Sequence, residues 1–263
     1  MSTPKSFPER FDLRRLPAVA LVTYVIALLA WVAIVGRWLP MPGGAMNMQM
    51  SDPGVPEAMA LSNGVAGASF YLLMWGVMMI AMMYPSSVPL FRLYYKTLEG
   101  TSTAGKVARI GVVLGTYALV WTLTGVVPLL VNAVVPVAPL ANTHGGFLWG
   151  GTLVLLAGYQ LSPYKDRCLR NCRSPLGFLM SHHRPGIRGA IRMSWKYSIF
   201  CIGCCWALFA FMVVVGSMNI VWMALITVVL SLERTVVWGR QLAHVVGTLA
   251  GIAEIAVILI TIL

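Results

Sequence analysis

Apolar residues in this chain come in long runs, near 17–36, 68–88, 107–132, 146–162, 197–217, 219–237 and 243–263, with short polar or basic segments between them. A run of about 20 apolar residues matches a hydrocarbon core of about 30 Å, and lipid offers the backbone no hydrogen bonds. Each run therefore predicts a helix that satisfies its own amides and carbonyls. The pattern predicts an all-α, polytopic transmembrane helical bundle of about seven spans. The fourth run is short and the sixth carries Glu233 beside Arg234, read here as charges at a membrane boundary. Pro85 predicts a kink or an end of the second span, because proline lacks an amide donor and crowds the preceding turn.

Composition agrees with the pattern. In a chain of 263 residues, 59% are hydrophobic, 10% are charged and the mean hydropathy is +0.80, which leaves too few charges to cover a soluble surface. The formal net charge of +11 could suit nucleic acid, but the charges fall in short blocks between apolar runs. Topology explains them better. Lys5, Arg10, Arg14 and Arg15 precede the first run, four basic residues follow the second, eight follow the fourth and two follow the sixth, so 18 of the 19 Lys and Arg share one face and Arg37 stands opposite. The positive-inside rule makes that face cytoplasmic. The first run is too long for a secretory h-region of about 7–15 residues and no small-residue cleavage site follows, so it is expected to stay as a helix. The expected organisation is a cytoplasmic basic N-terminus (1–16) and one transmembrane domain (17–263), with a Met-rich outer loop (37–67) and a basic Cys/His cytoplasmic loop (163–196). Gly111-x-x-x-Gly115 and Gly247-x-x-x-Gly251 allow close helix approach; ordinary small residues in a packed bundle explain them equally well.

Sulfur is the chemistry that stands out. In the outer loop, Met46, Met48 and Met50 alternate with polar residues, and an extended backbone would put their thioethers on one face. Thioethers are soft ligands that suit Cu(I), whereas an apolar lip of adaptable side chains is the bland alternative. In the second run, Met74, Met78 and Met82 lie on one helical face, with Met79 and Met83 beside it. Taken alone such a stripe is more often packing, but the second span descends as the fifth ascends, so Met78, Met82 and Met83 can lie level with the cysteines and are candidate soft ligands. All five cysteines lie between Cys168 and Cys205. Cys168 and Cys172 sit in the basic loop, while Cys201, Cys204 and Cys205 are at i, i+3 and i+4 where the fifth span is expected to open, with Leu208 and Met212 continuing their face. A helix N-terminus flanked by Arg192 and Lys196 would favour thiolate there. The cytoplasm keeps thiols reduced, so metal or redox chemistry is favoured over structural disulfides. A soft-ligand path from Met46, Met48 and Met50 through Met218, Met223 and Met74 to the thiols can be drawn, and His182 and His183 are secondary ligand candidates.

Four separated motifs carry a family resemblance: Trp75-x-x-Met78-x-x-Ala81-Met82-Met83-x-Pro85, Tyr159-Gln160-Leu161-x-Pro163-x-Lys165-x-x-Cys168-x-x-x-Cys172-Arg173-Ser174-Pro175, Cys201-x-Gly203-Cys204-Cys205-Trp206 and Met218-Asn219-x-x-Trp222-Met223. Together they resemble the bacterial family of predicted metal-binding integral membrane proteins, some of whose members are linked to copper delivery to tyrosinase-type enzymes. The resemblance implies a bacterial plasma-membrane copper chaperone with a copper-dependent enzyme, or its maturation partner, as client. In that family a His-Gly pair precedes the first cysteine of the third motif, where this chain has Tyr197-Ser198; if that histidine is a ligand, His182 or His183 has to replace it. The expected function is Cu(I) binding and transfer for maturation of a cuproenzyme. A membrane thiol–disulfide oxidoreductase and a non-catalytic metal-binding subunit of a membrane complex remain as alternatives. No nucleotide-binding glycine loop or acid–base constellation argues for hydrolysis.

Overall fold

A computed structural model describes residues 16–38 and 51–262, and the regular structure it describes is helical. Helices run in the order α1 (Leu16–Val35), α2 (Val55–Ser62), α3 (Gly64–Lys96), α4 (Thr103–Thr124), α5 (Val126–Val134), α6 (Val137–Gln160), α7 (Pro163–Arg173), α8 (Pro175–His182), α9 (Gly186–Gly216), α10 (Ile220–Thr235) and α11 (Gly239–Ile262). Met46, Met48 and Met50 lie outside the described residues.

Among the described residues, five stretches are long and apolar enough to cross a membrane: Ala18–Val35, Gly64–Lys96, Thr103–Val134, Gly186–Gly216 and Gly239–Leu259. Seven were expected, and the two that do not qualify are the fourth and the sixth. α6 is broken at His144 (φ −133, ψ 38), and α10 has 16 residues, about 24 Å of helix against a core of about 30 Å. Both nevertheless carry the chain from one end of the bundle to the other. α4 and α9 run parallel, since Ser194 Oγ donates to the Val113 carbonyl (2.7 Å) and the Trp121 and Phe209 rings meet at 5.3 Å. α6 runs antiparallel along α9, with Trp149 against Phe211 and Tyr159 against Trp206. α10 returns after α9, from Trp222 beside Phe211 to Arg234 beside Cys204. α11 lies antiparallel on α6, where a Cβ on Gly247 would meet Gln160 and Leu161 and one on Gly251 would meet Ala157. The Gly247 pair thus permits a helix contact, whereas Gly111 and Gly115 face open space.

α3 is the central element and buries both of its methionine stripes, which explains why its sequence shows two adjacent sulfur faces. It continues through Pro85 and Pro89 to Lys96, longer than the expected span. Proline at 85 deprives the Ala81 carbonyl of its helical donor, and Trp31 Nε1 of α1 supplies one at 3.1 Å. Around α3 and α4 an aromatic core forms from Tyr84, Phe91, Tyr117, Trp121 and Tyr197. The outer faces are apolar too: Leu21, Leu28 and Leu29 on α1 and Leu249, Ile252 and Ile255 on α11 are exposed. In a lipid setting most of the hydrophobic drive between helices would be lost, and close packing and buried polar pairs would determine which helices associate.

The segments expected as loops contain helices. Residues 37–67 include α2, and 163–196 fold into α7, α8 and the start of α9. α9 begins at Gly186, so Cys201 lies about four turns inside it. The expectation that a helix N-terminus polarises these thiols is therefore wrong, because the end effect fades within the first turn.

Candidate functional site

The site is assembled where α7, α9, α10 and α3 meet at the basic end of the bundle. α7 is strongly specified locally. The Ser162 hydroxyl caps it by accepting from the Lys165 amide (3.3 Å), Pro163 opens it, and Arg170 and Arg173 close it. Helical periodicity puts Lys165, Leu169 and Cys172 on its buried face and Arg167 and Arg170 on its exposed face. Two contacts seat it. Lys165 Nζ pairs with Glu233 Oε2 at 2.7 Å, both side chains 1% exposed, and Arg173 Nη2 donates to the Val236 and Val237 carbonyls.

Seated this way, α7 delivers Cys172 to the cysteine face of α9. Cys172 Sγ lies 3.6 Å from Cys201 Sγ and 3.7 Å from Cys204 Sγ, and Cys204 Sγ lies 3.3 Å from Cys205 Sγ. Cys168, half-buried, sits over Gly203, where an added Cβ would come within 2.9 Å of its sulfur. All five cysteines are free. Hydrogen bonds to Cys201 and Cys204, and then burial, push the Cys172 thiol well above its ordinary range; burial also raises Cys168. Any metal taken up by these two would have to displace protons.

A guanidinium completes the cluster. Arg234 Nη2 lies 3.6 Å from Cys204 Sγ and 3.8 Å from Cys172 Sγ, while Nη1 donates to Ser86 Oγ (2.7 Å) and lies 3.8 Å from Met83 Sδ. Glu233 and Arg234 are both buried, not boundary charges, and successive helix positions send them to different partners. Glu233 also accepts from Gln160 Nε2 at 2.9 Å. Sequence reasoning missed this pairing although Gln160, Lys165 and Glu233 are visible as polar residues beside or within apolar runs. It also missed Glu57, a buried acid on α2 that accepts from Tyr71 and Ser217 at 2.8 Å each.

Among the methionines, Met83 reaches the thiols by way of Arg234. Met78 and Met82 are buried on the same helix, Met212 and Met223 are buried on α9 and α10, and Met218 is half-buried. The histidines go elsewhere. His182 stacks on Phe178 (4.5 Å), and His183 contacts Thr97 (3.3 Å). Tyr197, at the position where the resemblance led one to expect a histidine, is a buried ring packed on Tyr117 and Phe178.

No set of three or more His, Cys, Asp or Glu among the described residues is placed so that it could hold a metal ion as it stands. The sulfur spacing nonetheless suits a soft cation, since ligands about 2.3 Å from a common tetrahedral ion stand about 3.8 Å apart. A bundle with five helices of membrane-crossing length that gathers its cysteines at one buried end belongs to the class of helical proteins that keep thiols together away from water. The chain belongs to the PpoB2 copper chaperone family, whose model matches residues 72–257. That stretch holds every cysteine, Met78, Met82, Met83, Lys165, Glu233 and Arg234, and leaves Met46, Met48, Met50 and Glu57 outside. No curated protein and no solved structure matches the chain.

Proposed function

We propose that this protein is an integral plasma-membrane Cu(I) chaperone that binds copper at the α7–α9 thiols and passes it on for maturation of a copper enzyme. The observation that carries this reading is the convergence of Cys172, Cys201 and Cys204, from two elements, to sulfur spacings of 3.6 and 3.7 Å. Thiolate is a soft donor set of the kind that holds Cu(I). Capture replaces S–H protons by copper, and release proceeds by ligand exchange to an acceptor's soft donors, so the copper stays Cu(I) throughout. Met46, Met48 and Met50 are proposed as the outer acceptor or donor, with Met83, Met82 and Met78 and then Met212, Met218 and Met223 as intermediate thioethers. The topology proposed has the N-terminus in the cytoplasm and seven crossings, counting α6 and α10. In support, the basic segments after α3, α6 and α10 gather at the end of the bundle where the thiols lie.

The test is metal analysis of the purified protein after anaerobic Cu(I) loading, beside a variant with Ser at Cys201, Cys204 and Cys205. Stoichiometric copper in the wild type that falls in the variant is expected. The single change Cys204→Ser is expected to weaken Cu(I) binding about tenfold or more, a loss of about 1.4 kcal/mol. Unchanged copper retention in the triple variant refutes the site. A wild type that retains no copper but shows a reversible two-electron thiol couple favours the oxidoreductase alternative.

A further inference from the structure

Thiolates suit Zn(II) as well as Cu(I), so the sulfur set alone does not choose between them. We infer that Arg234 sets the charge selectivity of the site, favouring a monovalent over a divalent soft cation. This rests on the copper-binding reading and adds a residue that is not itself a ligand.

The guanidinium is 5% exposed and held by Ser86 on α3, with the sulfurs of Cys172, Cys204 and Met83 at 3.6–3.8 Å. Among the described residues no carboxylate pairs with it. The adjacent acid, Glu233, is committed to Lys165 and Gln160, so that pair brings no net charge to the cluster. Arg234 is thus a fixed cation beside the sulfurs. A metal about 2.3 Å from Cys204 Sγ lies no more than about 6 Å from the guanidinium. The repulsion it meets is one unit interaction for a monovalent ion and two for a divalent ion, whatever the number of thiolates engaged. One unit interaction at that distance, with the effective dielectric of about 20 that describes buried sites, corresponds to about a hundredfold in relative affinity. Arginine is suited to this role because it stays charged when buried.

The experiment uses the full-length protein in detergent under anaerobic conditions. Kd values for Cu(I) and Zn(II) are measured separately by competition against chelators of known affinity, and sulfur-to-metal charge-transfer absorption reports that the thiols are the ligands. Arg234→Gln is expected to move the Zn(II)/Cu(I) preference about a hundredfold toward zinc, and Arg234→Lys, which restores the charge, to move it back most of the way. Should the Gln variant misfold, Arg234→Leu removes the charge without leaving a polar group unpartnered. A preference in the uncharged variants within about threefold of wild type overturns the assignment. So does a Lys variant that behaves like Gln. If the wild type binds Cu(I) without thiol-to-copper absorption, the copper site itself is misplaced and the selectivity role falls with it. The two failures are distinguished by that absorption and by the serine variants.

Discussion

Lys165→Met is the perturbation that most directly tests how α7 brings its cysteine to α9. In the native protein Glu233 Oε2 receives Lys165 Nζ at 2.7 Å, and Oε1 receives Gln160 Nε2 at 2.9 Å. Methionine has nearly the length of lysine but no donor, so half of the Glu233 carboxylate is left without a partner in a place that is 1% exposed. Removing one member of a buried pair costs about 3–5 kcal/mol, because the remaining charge has neither water nor a counter-ion. For a chain of this size that corresponds to a fall in Tm of about 6–20 °C. Thermal unfolding in detergent, followed by a thiol-reactive fluorophore, reads both the stability and the protection of Cys172. The double variant Lys165→Met/Glu233→Leu is expected to recover most of the loss, since replacing both partners by apolar groups removes the stranded charge. A single variant within about 2 °C of wild type, or a double variant no better than the single one, refutes the claim that this pair anchors α7.

Two further outcomes follow from the geometry. Burial holds the Glu57 carboxyl above its ordinary range despite hydrogen bonds from Tyr71 and Ser217; the native state therefore binds that proton more tightly than the unfolded chain, and the stability it brings is complete below about pH 4.5 and lost as pH rises through the elevated value. Glu57→Gln keeps an oxygen for both donors, so its Tm should fall less steeply than wild type between pH 5 and 8, and equal slopes would contradict the assignment. Gly203→Ala places a Cβ 2.9 Å from Cys168 Sγ, so Cys168 must move away at a cost of about 1 kcal/mol. Mass-spectrometric mapping of alkylation should then show faster labelling of Cys168 with Cys172 and Cys204 still protected, whereas unaltered Cys168 labelling would count against the contact.

Much of this architecture is local information and was legible in the chain itself. Apolar run length determines helices of membrane-crossing size, and the i, i+3, i+4 spacing of Cys201, Cys204 and Cys205 determines that they share one face. Tertiary structure alone decided the rest. Cys172 joins that face because α7 is pinned by a lysine and a glutamate that are 68 positions apart, and no local period carries that pairing. The same limit explains Arg234. A charge at the end of an apolar run reads as a boundary residue unless its partners are known, and here they are contributed by α3, α7 and α9. Pro85 shows it once more: on α3 alone it predicts an interruption, and the helix continues past it where Trp31 of another helix satisfies the carbonyl that proline leaves bare. Local sequence sets what each helix can present; which surfaces meet, and so which charges are safely buried, is settled only when the helices pack.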